Sequence, residues 1–460
     1  MPTIRYALVV LMCALTAPPL AAMNLLEVYE VALRSDPLLR EAEANRLAAL
    51  EAKPQARSAL LPQIVAQGGE ATAEAKGGNT FPQFNPATGE VVQVTTSFNR
   101  ETNFETQWQL QLTQSVFRWD QWVTLKQADK TVAQAEADYH AAIQDLMLRV
   151  SERYFDVLAA QDTLASAEAA KDAIARQLEQ AEKRFEVGLS AITDVQEAQA
   201  AYDQTVADVI AAKRSLASTR EFLRETTGEY FEELAVPGDA LVLAEPEPAK
   251  EDDWVTTAMD QNLSLVASRL AEEIARDEVK VRRTGHYPSV DLVASRSGFK
   301  NDQDTSNDGR DFAPTDADQL ENRVSLQVSV PLYSGGSVSS RVREAVYQHR
   351  AAKERLEGAA RQTERQTRDA YLGVLSEISR VNALKQALAS SETALKATEA
   401  GFEVGTRTTV DVLDARRNLF RAQTEYARSR YDYILNVLRL RQAAGILTVS
   451  DMEQINTWLK

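Results

Sequence analysis

Cysteine and histidine are scarce in this chain. The only cysteine is Cys13, and the three histidines, His140, His286 and His349, lie far apart. Zinc sites, iron–sulfur clusters and thiol chemistry need several such side chains together, so we predict no metal site and no cofactor. No nucleophile–base pair, acid–base pair or phosphate-binding loop emerges either, so the sequence does not predict an enzyme.

Basic residues are in the minority. Lys and Arg total 51 and Asp and Glu total 67, which gives a formal net charge of -16 at pH 7. A nucleic-acid binder needs a basic surface that neutralises phosphates, so this charge argues against a nucleic-acid partner. The hydrophobic content of 44% is ordinary and argues against wholesale disorder.

Long apolar runs are confined to the N-terminus. Residues 1–22 contain Arg5, an apolar run at 7–15 and the small pair Ala21–Ala22, a pattern typical of a secretory signal peptide. Beyond residue 22 the sequence has no apolar run long enough for a membrane-spanning helix. An exported chain of this kind is either soluble or spans a membrane as a β-barrel.

Apolar and polar residues alternate in four segments. The pattern is clear in Asn103–Ser115 and Arg323–Val330 and weaker in Ile64–Glu70 and Val290–Ser297. A period of two with one apolar face is typical of transmembrane strands, although a half-buried strand of a soluble sheet has the same pattern. Four such segments in two hairpins, beside a signal peptide, favour the barrel.

The hairpin tips, within 68–102 and 298–322, are expected to be loops that face the cell exterior. The second is rich in acidic residues, but it does not match the EF-hand pattern, so we favour a solvated acidic loop over a calcium site. Its acidic residues are Asp302, Asp304, Asp308, Asp311, Asp316, Asp318 and Glu321.

Glycine and proline are missing from long stretches. Gly188 is the one glycine in residues 90–227, and residues 87–236 contain no proline. In Asp120–Val187 apolar and small residues recur every three or four positions, which is coiled-coil spacing. A helix of this length would extend about 100 Å. Alanines on both flanks indicate neighbours on both sides, as in the wall of a helical cylinder; a two-stranded rod is the alternative.

The chain also repeats itself. The sequence Phe185–Gly188 recurs as Phe402–Gly405, at an offset of 217 residues. We predict an internal duplication: a first repeat at 23–235 and a second at 251–460, joined by a proline-rich acidic linker at 236–250.

Several motifs resemble a known family. The stretches 401–415, 185–195, 60–62 and 328–336 resemble the TolC family of outer-membrane channel tunnels. The resemblance implies a mainly α fold with a β-barrel part: a homotrimer whose long helices form a periplasmic α-barrel, continued by a transmembrane β-barrel in the outer membrane. Four strands per chain cannot close a barrel, for which about eight is the minimum. Three chains would contribute a 12-stranded trimeric barrel.

The same resemblance implies function and partners. The expected function is a trimeric exit duct for efflux of small molecules, for type I secretion of proteins, or for both, located in the cell outer membrane with a long periplasmic extension. A periplasmic adaptor (membrane fusion) protein and an inner-membrane ABC or RND transporter would open it, and outer-membrane lipid would surround it. The alternative is a soluble periplasmic coiled-coil scaffold or adaptor protein.

The candidate sites are two helix–turn–helix elbows. Gly188 and Gly405 are predicted C-caps with positive φ. Asp194 and Asp411 are predicted N-caps of the returning helices, and Asp194 has capping-box spacing to Glu197.

The resemblance gives these elbows a role. Residues matching Asp411 and Asp414 line the periplasmic entrance in the family, so a trimer would carry two rings of carboxylates, which favour cations. Arg407 would form an entrance lock with Thr193–Asp194. Phe402 stands where the family has tyrosine, and it has no hydroxyl to donate, so that link is expected to be missing.

Aromatic residues are expected at the strand–helix junctions, where a membrane-interface belt would fall. Ordinary packing is the alternative. The residues are Phe117, Trp119, Trp122, Tyr287 and Tyr333.

Overall fold

The computed structural model describes residues 22–238 and 241–459; the predicted signal peptide, apart from Ala22, lies outside the described residues. The elements are, in chain order, α1 (Leu25–Ser35), α2 (Pro37–Leu50), α3 (Ala52–Ser58), β1 (Gln63–Asn85), β2 (Glu90–Phe117), α4 (Trp119–Glu186), α5 (Ile192–Thr227), α6 (Glu251–Gln261), α7 (Leu263–Arg283), a 3-10 turn (Thr284–His286), β3 (Ser289–Asn307), β4 (Arg310–Asp311), β5 (Thr315–Ser329), α8 (Ser337–Glu403), α9 (Thr409–Ala443) and α10 (Val449–Asn456).

Two helices are exceptionally long. Helix α4 has 68 residues and α8 has 67, so each extends about 100 Å. The helix predicted at 120–187 is therefore confirmed to within one residue at each end. It is uninterrupted because the segment offers neither a proline nor a glycine until Gly188. No helix in the described part of the chain is both long enough and apolar enough to cross a membrane.

The described residues form two compact units. The helical unit comprises 22–47, 134–269 (without 239 and 240) and 355–459, and the sheet unit comprises 48–133 and 270–354. Each unit contains segments from both predicted repeats. The two-repeat organisation and its linker stay a prediction from the sequence.

The core of the helical unit is aromatic and aliphatic. Tyr154, Phe155 and Ile434 are fully buried, and the ring of Phe155 stacks on that of Tyr431 at 5.6 Å between centroids. The Tyr154 hydroxyl donates to the carbonyl oxygen of Ala235 at 2.6 Å, so its polar end is satisfied inside the core.

Polar contacts join α4 to α9 along their length. Partner numbers fall on α9 as they rise on α4, so the two helices are antiparallel. The contacts are Asp145–Gln442 (2.6 Å), Glu152–Arg439 (2.7 Å), Asp162–Tyr431 (2.6 Å) and the carbonyl of Ala173 with Arg416 (2.8 Å). Because each contact crosses between helices, the ladder fixes their register.

The sheet unit contains four long antiparallel strands in the order β1–β2–β3–β5, with the two-residue β4 also paired to β3. The first hairpin joins the second through β2 and β3, where Gln109 lies opposite Ser297. All four predicted strand segments are present, and each is longer than expected.

The long hairpin loops predicted at 68–102 and 298–322 are wrong. Strand β1 continues to Asn85 and β2 begins at Glu90, so the first connection is only 86–89. The predicted acidic loop is likewise mostly strand: Asp302, Asp304, Asp316, Asp318 and Glu321 lie in β3 or β5, Asp311 in β4 and Asp308 in the turn.

The sequence did not predict the glycine-rich parts of these strands, because the side chains that pack over the glycines come from a neighbouring strand. Gly298 lies opposite Trp108, and a Cβ on Gly298 would lie 2.3 Å from the indole nitrogen. Gly77 lies opposite Phe98, and a Cβ there would lie 2.7 Å from the phenyl ring. The aromatic rings therefore cover backbone that a sequence pattern alone marks as loop.

The apolar face of the sheet is exposed. On β5, Leu320, Val324, Leu326 and Val328 are 59–76% exposed. On β2, the amide of Gln109 donates to Gln111 at 3.0 Å, so polar side chains bond one another along the strand. Both faces of β5 are exposed within one chain, so its apolar residues lack the cover that a soluble sheet gives to one of its faces.

Helix α7 is bound to α4 by ion pairs and to α8 by a hydrogen bond within the sheet unit. The ammonium of Lys130 lies 2.6 Å from Asp277 and 2.8 Å from Glu273, and His349 lies 2.5 Å from Glu272. Asp277 is almost fully buried. Burial raises the pKa of Asp277, but hydrogen bonds from Lys130 and Lys280 outweigh it and lower that pKa below its usual value.

Candidate functional site

Two short elbows reverse the chain between long helices. The first elbow, 187–191, joins α4 to α5, and the second, 404–408, joins α8 to α9. Gly188 has φ of 77° and Gly405 has φ of 78°, as expected for glycines just past a helix C-terminus.

The hydrogen bonds at both elbows form a Schellman motif. At the second elbow, the amide of Thr406 donates to the carbonyl of Gly401 at 2.8 Å and the amide of Gly405 donates to that of Phe402 at 3.1 Å. At the first elbow, the corresponding bonds run from Leu189 to Arg184 (2.7 Å) and from Gly188 to Phe185 (2.9 Å). Both long helices therefore end on satisfied carbonyls.

The predicted N-caps are wrong by three residues. The N-caps are Ala191 and Thr408, and Asp194 and Asp411 occupy the third helical position. In place of the expected box between Asp194 and Glu197, Asp194 accepts a single hydrogen bond from the amide of Ala191 at 3.4 Å. The Thr-x-x-Asp spacing at the second elbow is itself a capping-box signature that could have located this cap.

The second elbow carries the complete capping box. Asp411 accepts from the amide of Thr408 at 2.8 Å, and its own amide donates to the Thr408 hydroxyl at 3.3 Å. The bond from the Thr408 amide, followed by that from its hydroxyl, lowers the pKa of Asp411. Ala191 has no hydroxyl to return the bond, so the first elbow is capped more weakly.

The two candidate ring acids lie one turn apart on α9, and both are partly exposed. Asp411 has the guanidinium of Arg407 at 3.9 Å, and Asp414 has that of Arg417 at 3.2 Å. Within one chain each carboxylate therefore has a cation nearby. Their predicted position around a channel entrance stays a prediction.

Arg407 folds back over the end of α8. Its Cγ would lie 2.8 Å from a Cβ on Gly401, so glycine leaves room for it. Within one chain its charged partner is Asp411. The predicted lock between Arg407 and Thr193–Asp194 stays a prediction.

A contact that the sequence did not reveal joins the ends of the two long helices. The guanidinium of Arg184, on α4, lies over the ring of Phe402, on α8, 4.9 Å from its centroid. A cation–π contact of this kind contributes about 0.5–1 kcal/mol at an exposed site. Phe402, predicted to lack a link because it has no hydroxyl, is linked through its ring face.

The predicted interface aromatics all lie in the sheet unit, at the ends of strands or beginnings of helices. Trp119 begins α4, Phe117 ends β2, and Trp122, Tyr287 and Tyr333 flank the same junctions. All five are exposed, Tyr333 at 89%. Their place at a membrane interface, with ordinary packing as the alternative, stays a prediction.

Among residues 22–238 and 241–459, no group of three His, Cys, Asp or Glu side chains is arranged to hold a metal ion.

Comparison with known proteins adds to this geometry. A family profile described as "Outer membrane efflux protein" matches residues 28–229 and 254–446. The chain belongs to the outer membrane efflux protein family. This assignment confirms the resemblance that the elbow motifs indicated.

Individual relatives agree with it. The chain is 38% identical over 440 residues to outer membrane protein TolC of Vibrio cholerae, covering 95% of this chain and 94% of that protein. It is 28% identical to the alkaline protease secretion protein AprF of Pseudomonas aeruginosa, covering 94% and 87%. The crystal structure of the outer membrane protein VceC of Vibrio cholerae matches with a TM-score of 0.71 and 19% identity, covering 92% and 96%, which bears on the fold.

Fold class and location follow from family membership. Outer membrane efflux proteins are channels located in the outer membrane, with a long helical extension into the periplasm, as the sequence predicted. The family contains transport proteins rather than enzymes, in agreement with the expectation from the residues.

Proposed function

We propose that three copies of this chain form an exit duct in the outer membrane, through which small molecules, secreted proteins or both leave the cell. The observation that carries this proposal is the open sheet with an exposed apolar face. Within the described residues β1 pairs only with β2, and β5 is paired only with β3. Strand edges in a membrane must be paired. Edges of neighbouring chains would pair with each other, and three chains with four long strands each would exceed the barrel minimum of about eight.

The helices would form the periplasmic part of this duct. Helices α4 and α8 each extend about 100 Å, far more than a compact domain requires. In the trimer, Asp411 and Asp414 would line the narrow entrance as two rings of three carboxylates and favour cations. The lock of Arg407 with Thr193–Asp194 and the Arg184–Phe402 contact would keep that entrance closed at rest.

Energy and substrate choice would come from partners. The chain offers no nucleotide-binding loop, so we propose that an inner-membrane ABC or RND transporter and a periplasmic adaptor protein open the entrance. The likeness to a protease secretion protein supports protein export, and the match to the outer membrane efflux protein family supports efflux.

The first test is assembly. The mature chain, purified in mild detergent, is expected to have the mass of a trimer by light scattering and to conduct ions in planar bilayers. A monomer that stays soluble without detergent would contradict the duct and favour the periplasmic scaffold.

A further inference from the structure

Arg416 lies on α9 and bonds two other helices at once. Its Nη1 donates to the carbonyl oxygen of Ala173 on α4, and its Nη2 donates to the carboxylate of Glu399 on α8, both at 2.8 Å. The side chain is only 19% exposed. One guanidinium thus joins three helices, all within the helical unit.

The position of Arg416 follows from the helix period. Val412 and Leu413, four and three residues before it, are buried at 1% and 4% exposure, so Arg416 belongs to the packed face of α9. Asp414 and Arg417 lie on the exposed face of the same turns. Arg416 is therefore separate from the proposed carboxylate rings, although it is close to them along the chain.

Arginine is the residue type that this geometry requires. Its planar fork has several donors and can bond a backbone carbonyl and a carboxylate simultaneously. A lysine has a single nitrogen on a flexible stem, so it lacks the two separate, rigidly spaced nitrogens with which Arg416 bonds its two acceptors. Removal of the guanidinium would also leave the partly buried Glu399 without this counter-ion.

The next arginine that ties α9 to α4 lies well away from the elbows. Arg428 pairs with Asp156 on α4 at 2.8 Å and with Asp432 on α9 at 2.9 Å. It is 12 residues (428 minus 416) further from the second elbow, about 18 Å along the helix. Of these two arginines, Arg416 is therefore the one that ties α9 to α4 in the part of the helices next to the elbows.

We propose that Arg416 is a positioning residue that clamps the α8–α9 pair against α4, and that its two bonds break when the channel entrance widens. The link to the entrance rests on the proposed function. The clamp itself does not, because every contact lies within one chain. The inference assigns Arg416 a role in gating separate from the predicted lock at Arg407.

The clamp is tested by hydrogen–deuterium exchange of the purified full chain in detergent. In Arg416→Gln we expect amide exchange at 183–192 and 400–409 to rise about tenfold over wild type, since a hydrogen bond to a charged group is lost. Arg361→Gln is the matched control: it removes one positive charge, and among the described residues the ion pair of Arg361 is with Glu357 on its own helix, α8. Unchanged exchange in Arg416→Gln would overturn the clamp.

Gating is tested by conductance in planar bilayers. Trimers of Arg416→Gln should conduct more than wild type, Arg416→Lys should lie between the two, and Arg361→Gln should match wild type. Glu399→Gln should reproduce part of the increase, and the double variant should add little to Arg416→Gln because both changes break one contact. Faster exchange with wild-type conductance in intact trimers would overturn the gating role.

The two proposals fail in different ways. If the wild-type chain forms no trimer or carries no current, the duct is wrong, while the exchange measurement still decides whether Arg416 holds the three helices together. Thermal unfolding of each variant controls for misfolding, and Arg416→Lys gives a folded comparison if the glutamine variant unfolds.

Discussion

At the scale of single residues, the second elbow depends on Thr408. Its hydroxyl accepts from the amide of Asp411, and Asp411 accepts from its amide, so each satisfies a donor at the start of α9. The first elbow has Ala191 at the same position and only one of these bonds. The two elbows therefore differ in stability, although their sequences are alike.

Removal of the Thr408 hydroxyl should destabilise the second elbow. Thr408→Ala is expected to cost about 1 kcal/mol, the usual value of an N-cap side chain. Thr408→Ser keeps the hydroxyl and is the control. Chemical denaturation of the purified protein measures both, and equal stability of Thr408→Ala and wild type would contradict the capping role.

Asp414 separates charge effects from capping, because it lies outside the capping box. If it lines a trimeric entrance, Asp414→Ala should reduce selectivity for cations over anions and reduce block by multivalent cations, with little change in stability. Glu357→Gln, which removes an exposed acid from α8, is the control. Reversal potentials in a salt gradient measure the selectivity, and an unchanged value would argue against the ring.

At the scale of elements, side chains far apart in sequence hold the long helices together. Arg184 and Phe402 are 218 residues apart (402 minus 184), yet they join the ends of α4 and α8. Lys130 and Asp277 join α4 to α7 in the same way in the sheet unit. Neither contact repeats along the sequence, so periodicity could not reveal it.

The face of the Phe402 ring is the part that matters for its contact with Arg184. Phe402→Leu should remove about 0.5–1 kcal/mol of cation–π attraction and loosen the helix ends. Phe402→Tyr keeps the ring and adds a hydroxyl donor, so we expect it to preserve or tighten the closed state. Conductance at rest distinguishes them: Phe402→Leu should raise it and Phe402→Tyr should not. Equal conductance in both would contradict a role of the ring.

The buried pair of Lys130 and Asp277 predicts a pH dependence. The pKa of Asp277 is lowered in the folded chain, so its stabilising contribution is complete above the ordinary carboxyl pKa of about 4 and is lost as pH falls through the lowered value. At neutral pH, Asp277→Asn should cost about 2 kcal/mol. The difference from wild type should shrink in acid.

Unfolding by denaturant at several pH values measures this dependence. Asp129→Asn is the control, because Asp129 and Lys53 form an exposed pair that should contribute less than about 1 kcal/mol. A difference between Asp277→Asn and wild type that is the same at pH 7 and in strong acid would contradict the prediction.

At the scale of the whole molecule, the sheet has its apolar residues on an exposed face. Leu320, Val324, Leu326 and Val328 on β5 are between 59% and 76% exposed, although each is a residue that soluble proteins bury. Because the chain belongs to an outer-membrane family, we expect lipid to cover this face.

A charge on that face should prevent insertion. Leu326→Arg is expected to place a charge against lipid, which costs about 2–4 kcal/mol at the bilayer midplane and less near the interfaces, and to reduce the yield of trimers in the membrane fraction. Gln327→Arg, on the opposite face of the same strand, should be tolerated. Equal trimer yields for the two variants would indicate that the apolar face does not contact lipid.

Local rules of the sequence determined the long helices, the positive φ of Gly188 and Gly405, and the existence of four alternating strands. These features depend on spacing along the chain, on missing prolines and on glycine's conformational freedom, so neighbours in sequence suffice to predict them. The resemblance of the elbow motifs identified the family for the same reason. The error in the N-caps was also local. The Thr-x-x-Asp spacing identifies Thr408 as the N-cap, whereas the prediction placed the N-cap at Asp411.

Only the tertiary structure decided what lies opposite each residue. The strands run through glycine-rich segments because Trp108 and Phe98, on a neighbouring strand, fill the space that Gly298 and Gly77 leave. Arg416 became a three-helix contact because folding brought Ala173 and Glu399 to it from 243 and 17 residues away. Packing between distant segments has no periodic signature, and so the contacts that hold the helices together appear only once the chain is folded.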